Sequence, residues 1–297
     1  MAPFLAYEDK GADTSGRIPP VPPVPPVSPV SLVPLVLIHG HPFDRTMWAP
    51  QLEAFAPTRR VVVPDLRGYG ASPVVPGTTP LSRFARDVED LLDDLAVDAF
   101  VLAGLSMGGQ IAMECLDRLG DRVRGLVLAD TFAEPETPAG RAARNALADR
   151  LLAEGMRGYA DEILLKMVAP HAPHAVRAHV HRMMTSAPPE GAAAALRGRA
   201  ERPDYRPSLR RFTAPALVVV GADDAFTPVR DAETLHALLP DSVLRVIDGC
   251  GHLPNLERPA EFNAALAEFL ERVDGNGDED GDEDGDGDGD GDRKRDR

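Results

Sequence analysis

Short apolar runs of strand length alternate with amphipathic helical segments along most of this chain, and that alternation restricts its possible folds more than any other feature. Runs of this kind are typical of strands that are buried on both faces of a sheet. They lie at residues 35–38, 61–63, 100–105, 126–129, 216–220 and 243–247, and helical periodicity occurs at 81–95, 108–119, 229–239 and 259–273. The pattern predicts an α/β fold whose central sheet is mostly parallel and is covered by helices on both faces.

One region interrupts the alternation. Between residues 131 and 211 every periodic segment looks helical, with examples at 142–153, 156–168, 174–185 and 191–200. A helical block between two strands of a parallel sheet predicts an inserted cap. The expected organisation is therefore a core in two parts, 1–130 and 212–273, a helical cap at 131–211, and a tail at 274–297.

Two segments depart from the globular pattern. Residues 18–34 repeat Pro-Pro-Val, which favours polyproline II and cannot join a sheet ladder, so we expect an extended surface insertion or, alternatively, a docking site for a proline-reading module. Residues 274–297 offer almost nothing apolar to bury and should be disordered. Asp280, Asp282, Asp284 and Gly285 match half of a calcium loop, but Gly291 stands where its final glutamate should be, so we expect only weak divalent-cation association.

Composition excludes several classes of protein. The 297 residues are 43% apolar, enough for a sizeable core, and the net charge of −15 argues against nucleic-acid binding. The tail carries −8 of that charge. The two cysteines cannot form a disulfide framework, the first residues do not look like a signal peptide, and no apolar run is long enough to span a membrane. These features indicate a cytoplasmic protein.

The sharpest local signal is the segment Gly-Leu-Ser-Met-Gly-Gly at residues 104–109, which follows a predicted strand and opens a predicted helix. A G-x-S-x-G motif in that setting is typical of a nucleophile elbow, in which a sharp turn exposes the serine hydroxyl at the helix amino terminus. There the backbone N–H groups and the helix dipole favour a developing anion. Ser106 is therefore the candidate nucleophile.

A serine hydroxyl needs a base, and the elbow arrangement expects an acid and then a histidine further along the chain. His252 lies in a glycine-rich loop directly after the last strand and is the candidate base. Asp224 follows the preceding strand and is favoured as the acid over Asp223, with Asp130 third. The segment His39-Gly40-His41 follows another strand, so the backbone N–H of His41 and that of Met107 are expected to form an oxyanion hole.

Taken in this order, the motifs resemble the α/β-hydrolase superfamily over residues 4–273. The resemblance rests on HGHPFDRTMW at 39–48, DLRGYGAS at 65–72, GLSMGG at 104–109, GADDAFTP at 221–228 and GCGHLPNLERP at 249–259. The chain looks like the capped branch that contains esterases, enol-lactonases and cofactor-free haloperoxidases or perhydrolases. The resemblance implies Ser106 as nucleophile, Asp224 as acid and His252 as base, with no cofactor and no metal.

The expected function is hydrolysis of carboxylic esters of small or medium apolar substrates through an acyl-enzyme. The same triad could instead open enol-lactones, cleave carbon–carbon bonds or carry out perhydrolysis, and a non-catalytic ligand receptor is a remote alternative. The cap should set substrate choice. Phe43, Met156, Met167 and Met183 are the predicted pocket residues, although at least two of the cap's methionines are expected to pack its own core.

Other conspicuous residues have structural interpretations. Arg67 and Tyr69 should shape a loop near the site, and Trp48 should be a packing anchor. The cap histidines lack the spacing of a metal site; they are His171, His174, His179 and His181. Cys250 is expected to be a small buried filler.

Overall fold

The computed structural model describes residues 3–11 and 32–276. Most of the predicted proline-rich insertion, the half calcium loop at 280–291 and all of the acidic tail after residue 276 lie outside the described residues. Predictions about those segments remain predictions.

The strands form one seven-stranded sheet in the order β1-β3-β2-β4-β5-β6-β7. Strand β1 pairs with β3 in the antiparallel direction, and every other pairing is parallel. The strands are β1 Tyr7–Lys10, β2 Leu35–Ile38, β3 Val61–Pro64, β4 Phe100–Leu105, β5 Val123–Ala129, β6 Ala216–Gly221 and β7 Ser242–Ile247. The mostly parallel sheet predicted from the alternation is confirmed.

Alternate residues of each central strand serve opposite faces of the sheet, as the twofold period of a strand requires. In β2, Val36 and Ile38 join one hydrophobic cluster, whereas Leu35 and Leu37 join the other. Because both faces are covered, the strand has no polar side and reads as a continuous apolar run.

Helices cover both faces. Helices α2, α3 and α9 pack on one cluster, and α1 and α11 pack on the other. The helices are α1 Ala49–Phe55, α2 Leu81–Asp94, α3 Met107–Leu119, α4 Pro138–Glu154, α5 Arg157–Met167, α6 His174–Ser186, α7 Pro189–Arg199, α8 Arg206–Arg211, α9 Val229–Leu238, α10 Pro254–Glu257 and α11 Pro259–Asn276.

Helices α4 to α8 all lie between β5 and β6 and are called the helical block here. Within it α4 packs against α7 and α5 against α6. The block is tied to the sheet's loops by backbone hydrogen bonds: His252 N–H donates to the Met167 carbonyl at 3.1 Å, and Thr79 N–H donates to the Ala194 carbonyl at 3.0 Å. The end of α5 is thus fixed directly against the loop that follows β7.

A polar clamp joins the amino side of β2 to the last helix. Arg59 donates from Nη1 to the Val33 carbonyl at 2.8 Å and from Nη2 to Asp274 Oδ2 at 2.7 Å, and Val33 N–H donates to Asp274 Oδ1 at 3.2 Å. The expectation that the tail begins at residue 274 was wrong. Helix α11 continues to Asn276, because Asp274 has a buried cationic partner that lies 215 residues earlier in the chain.

Candidate active site

Ser106 occupies a sharp turn between β4 and α3. Its backbone has φ 57° and ψ −115°, a left-handed conformation that is costly for a residue with a Cβ. The turn is held on both sides: Ser106 N–H donates to the Ala129 carbonyl at 2.9 Å, and the Ser106 carbonyl accepts from Thr131 Oγ1 at 2.8 Å. This is the strand–turn–helix geometry that the motif predicts.

Gly104 and Gly108 make the turn possible, because backbone atoms of neighbouring segments occupy the space that a Cβ atom would need at either position. A Cβ added to Gly104 would lie 2.2 Å from the Gly108 carbonyl oxygen, and one added to Gly108 would lie 2.1 Å from the Ile38 carbonyl oxygen. The start of α3 therefore rests directly on β2 and β4. Ser106 is presented at the carboxyl edge of the sheet, 8% exposed.

His252 and Asp224 lie at the same edge and are hydrogen bonded. The ring N–H of His252 at Nδ1 donates to Asp224 Oδ2 at 2.7 Å. Asp224 also accepts from the backbone N–H of Phe226 at 2.8 Å and from the hydroxyl of Thr227. Because Nδ1 carries the proton in this pairing, Nε2 is the ring nitrogen able to accept one.

The surroundings keep Asp224 ionised. Burial acts to raise its pKa, but the charge of His252 and the hydrogen bonds that His252, Thr227 and Phe226 donate outweigh burial and lower the pKa below its ordinary value. Asp223, the neighbouring candidate, is exposed to solvent. The structure thus brings Asp224, and not Asp223, to the histidine.

Asp130, the third acid candidate, is buried beside this pair. It has φ 45° at the end of β5 and accepts from Gly221 N–H at 2.9 Å, and its Oδ2 has no partner among the described residues. Oxygen and nitrogen atoms of Asp130, Asp224 and His252 lie within 4.8 Å of one another. Burial and the charge of Asp224 raise the pKa of Asp130 well above its ordinary value, which favours the neutral form of this acid beside the pair.

The two predicted oxyanion donors flank the serine. A Cβ added to Gly40 would lie 3.3 Å from Ser106 Cβ, so the loop that carries His41 is in contact with the elbow. Neither the His41 N–H nor the Met107 N–H donates to another atom of residues 3–11 or 32–276. Both donors therefore remain available to a ligand.

The imidazole of His41 also lies at the site, where it lines the same cavity as Ser106. Its Nδ1 pairs with the hydroxyl of Tyr69 at 2.7 Å, and its Nε2 is buried with no partner in the described part of the chain. Burial lowers the pKa of His41 well below its ordinary value, and the charges of Arg199 and Arg144 lower it further. The lowered pKa favours the neutral ring, and the contact with the Tyr69 hydroxyl orients it.

A cavity of about 370 Å³ opens beside the serine. Its lining residues come from the loops that follow the strands and from helices α4, α5 and α7, and they are His41, Ser106, Phe132, Gly140, Ala143, Arg144, Leu147, Tyr159, Met167, Leu196, Arg199, Phe226, Thr227 and His252. Of the four predicted pocket residues only Met167 is among them. Phe43, Met156 and Met183 are at most 4% exposed and pack in the two hydrophobic clusters, which is where large apolar side chains are most often found.

Several lining residues were missed from the sequence. Arg144, Tyr159 and Arg199 stand on three different helices of the block, and no motif or spacing connects them. Phe226 could have been found, since it lies two residues after Asp224. Its ring contacts the His252 ring edge-on with 5.2 Å between centroids.

Arg67, Trp48 and Cys250, which were expected to have structural roles, are held by packing and hydrogen bonds away from the cavity. Arg67 binds Asp87 through two hydrogen bonds, of 2.6 and 2.5 Å, and Trp48 packs against Phe262 with ring centroids 5.9 Å apart. Cys250 is fully buried, and burial raises the pKa of its thiol. None of these three lines the cavity.

The cap histidines have separate surroundings. His171 Nε2 pairs with the Gly249 carbonyl at 3.0 Å, His179 Nε2 with the Thr46 carbonyl at 3.2 Å, and His181 Nε2 with Asp161 Oδ1 at 2.7 Å. His174 is exposed at the start of α6.

Comparison with known proteins identifies the family. Residues 35–265 match the family described as the alpha/beta hydrolase family, and the chain belongs to it. It is similar to 3-oxoadipate enol-lactonase 1 of Acinetobacter baylyi, with 30% identity over 77% of this chain and 85% of that protein. It is also similar to a pimeloyl-[acyl-carrier protein] methyl ester esterase of Chromobacterium violaceum, with 32% identity over 80% of this chain and 94% of that protein.

Solved structures agree. The malate-bound structure of a thermophilic esterase from Thermogutta terrifontis superposes with a TM-score of 0.81 and 37% identity, over 91% of this chain and 93% of that one. The chain is therefore an enzyme, a hydrolase of the esterase and enol-lactonase branch. Within residues 3–11 and 32–276, no helix has the length and apolarity needed to cross a bilayer.

Proposed function

We propose that the protein hydrolyses carboxylic esters by a two-step acyl transfer at Ser106. The observation that carries the proposal is the hydrogen bond of 2.7 Å from His252 Nδ1 to Asp224 Oδ2 at a cavity that Ser106 also lines. Within the described residues no hydrogen bond joins Ser106 Oγ to His252. Such catalytic contacts are often long in free enzymes and tighten only when substrate binds.

In the first step Ser106 Oγ attacks the ester carbonyl carbon while His252 Nε2 takes the hydroxyl proton. The carbonyl oxygen becomes an oxyanion that accepts hydrogen bonds from the N–H groups of His41 and Met107; losing one such donor typically costs about 3–4 kcal/mol. His252 returns its proton to the leaving alkoxide, and the alcohol departs. Water then attacks the acyl carbon while His252 takes its proton. The bond to Ser106 Oγ breaks, His252 returns the proton to that oxygen, and the acid departs, while Asp224 stabilises the imidazolium at each step.

Residues 131–211 act in this proposal as a cap that shapes the substrate site. Helices α4, α5 and α7 contribute the apolar side chains of Ala143, Leu147, Met167 and Leu196 to the cavity wall. A volume of about 370 Å³ lies in the range of small-molecule sites. The acyl group is therefore expected to be small or medium in size.

The test is hydrolysis of p-nitrophenyl esters by the Ser106→Ala variant. We expect kcat to fall by about 10⁴-fold or more, because the nucleophile is lost, and labelling by a fluorophosphonate probe to disappear. Ser186→Ala is the matched control, since that serine is exposed at the end of α6 and away from the cavity lining. Wild-type turnover in the Ser106→Ala variant would contradict the proposal.

Lactone opening is the second candidate, favoured by the similarity to an enol-lactonase. The same attack on a ring carbonyl would leave the alcohol tethered to the acyl group. Assaying esters, enol-lactones and peroxide-dependent halogenation with one preparation separates the candidate reactions.

A further inference from the structure

Two arginines stand in a cavity wall that is otherwise mostly apolar. Arg199, at the end of α7, is 8% exposed and donates from Nε to Gln110 Oε1 at 3.1 Å. Arg144, on α4, lines the same cavity. No side chain among the described lining residues is an aspartate or a glutamate.

The positive charge here exceeds the negative charge that could balance it. Glu136 accepts from Arg144 Nε at 2.5 Å and from Arg202 Nη1 at 3.3 Å, so one carboxylate serves two guanidinium groups. In residues 3–11 and 32–276 no carboxylate lies within ion-pair distance of Arg199. Arg199 therefore has a neutral amide as its side-chain partner.

Because Arg199 has no carboxylate partner among the described residues, burial and the positive charges near it lower the pKa values of Arg199 and His41. Burial lowers the pKa of Arg199 well below its ordinary range, and the charges of Arg144 and Arg202 lower it further. The charges of Arg199 and Arg144 also lower the pKa of His41, and both arginines line the cavity that Ser106 lines. A guanidinium remains protonated in proteins, so this wall carries uncompensated charge at neutral pH.

A buried charge without a partner is costly, which makes such a group a ready site for an anion. Guanidinium groups bind carboxylates through parallel N–H···O hydrogen bonds and are weakly hydrated compared with ammonium groups. The contrast with the rest of the molecule is sharp, because the whole chain carries −15.

We propose that the cavity accepts esters or lactones that carry a free carboxylate, with Arg199, supported by Arg144, binding that carboxylate while Ser106 faces the scissile carbonyl. This inference rests on the proposed function for the chemical step and adds a substrate class to it. The small apolar part of the substrate would contact Leu147, Met167 and Leu196, between the two polar ends of the site.

The first test compares two esters of equal carbon number, mono-p-nitrophenyl adipate and p-nitrophenyl hexanoate. We expect wild type to show the higher kcat/KM on the adipate ester. Arg199→Gln should lower the ratio of the two kcat/KM values by about 10- to 100-fold, the range expected for lost hydrogen bonds to a charged group. Arg144→Gln should lower it less, because Glu136 already occupies part of that guanidinium.

Arg197→Gln is the matched control. Arg197 is on the same helix, binds Asp149 at 2.6 Å and is absent from the cavity lining, so the ratio should stay unchanged. Thermal unfolding checks that each variant folds. If Arg199→Gln does not fold, the ratio of the two kcat/KM values is measured in Arg199→Lys and Arg144→Gln instead. A wild-type preference for the hexanoate, or a ratio that Arg199→Gln leaves unchanged, would overturn the inference.

A binding measurement separates this inference from the proposed function. Calorimetric titration of adipate into the Ser106→Ala variant needs no turnover, and we expect binding that Arg199→Gln abolishes. If wild type hydrolyses neither ester but adipate binds in this Arg199-dependent way, the proposed reaction fails and the anion site stands. If adipate does not bind, or binds equally without Arg199, the anion site is refuted whatever the esterase assay shows.

Discussion

The wall of the cavity that comes from the sheet and the wall that comes from the helical block are held in place by different kinds of contact. On the sheet side the lining residues follow the carboxyl ends of strands, and the nucleophile candidate Ser106 is fixed through its own backbone N–H and carbonyl. On the helical side the lining residues project from α4, α5 and α7, and side-chain contacts such as Arg199 with Gln110 orient them. We therefore expect the sheet side to be affected most by substitutions that change side-chain volume, and the helical side by substitutions that change charge.

The largest expected effect is a change of shape on the sheet side. Gly108→Ala would place a methyl group 2.1 Å from the Ile38 carbonyl oxygen, so α3 must move away from β2. We expect a loss of about 3 kcal/mol in the free energy of unfolding, or no folded protein, since backbone cannot yield as a flexible side chain can. Urea denaturation measures the change, and stability equal to wild type would show that this contact has more room than the structure gives it.

On the sheet side, a substitution that removes an ionisable group but keeps the side-chain shape should be tolerated, and Asp130→Asn is such a substitution. Asp130 has a raised pKa, so below its unfolded value of about 3.8 both states are protonated and no stability difference arises. As pH rises further the unfolded chain ionises while the folded one keeps its proton, and the folded state loses stability. Asp130→Asn removes this penalty.

We therefore expect Asp130→Asn to raise the midpoint of thermal unfolding at pH 8 by about 2–4 °C, the size of a 1 kcal/mol change in a chain of this length. The gain should shrink towards pH 4. Asp223→Asn, at an exposed neighbouring site, serves as the control and should show no such trend. A gain that is the same at both pH values would mean that Asp130 does not retain its proton.

The smallest effect is expected from a change of shape on the helical side. Gly158 is exposed near the start of α5, and a Cβ there would meet nothing within 4 Å. Gly158→Ala should stabilise the fold by about 0.5 kcal/mol, because alanine loses less backbone entropy in a helix. Gly155→Ala has equal space but φ 77°, so it should destabilise instead. If both variants moved stability in the same direction, free space rather than backbone conformation would be the deciding factor.

The sequence was sufficient to predict which side chains meet where those side chains follow strand ends, and their chemical roles remain predictions. Ser106, Asp224 and His252 each follow a short apolar strand within a loop of small residues, so the order of the strands along the chain was enough to bring them to one edge. The order of the strands across the sheet, including the antiparallel β1, was not predicted, because apolar runs carry no information about which neighbour they pair with.

The helical wall could not be predicted in the same way. Met156 and Met183 look like pocket residues by type, yet a helix presents some of its apolar side chains to its neighbours and others to the cavity, and only packing decides which. Arg144 and Arg199 come together from α4 and α7 with 54 residues between them, a juxtaposition that no local pattern reveals. The end of α11 was misplaced for the same reason, since Asp274 finds its partner on Arg59.

The clamp of Val33, Arg59 and Asp274 also marks a position at which the protein could be immobilised on a surface. It lies at the amino side of β2, whereas Ser106, His41 and His252 lie beyond the carboxyl ends of their strands. Val33 and Asp274 are therefore held together at the edge of the sheet opposite the cavity. A resin or a sensor surface coupled next to this clamp would orient every copy the same way, with the carboxyl edge of the sheet facing the solution.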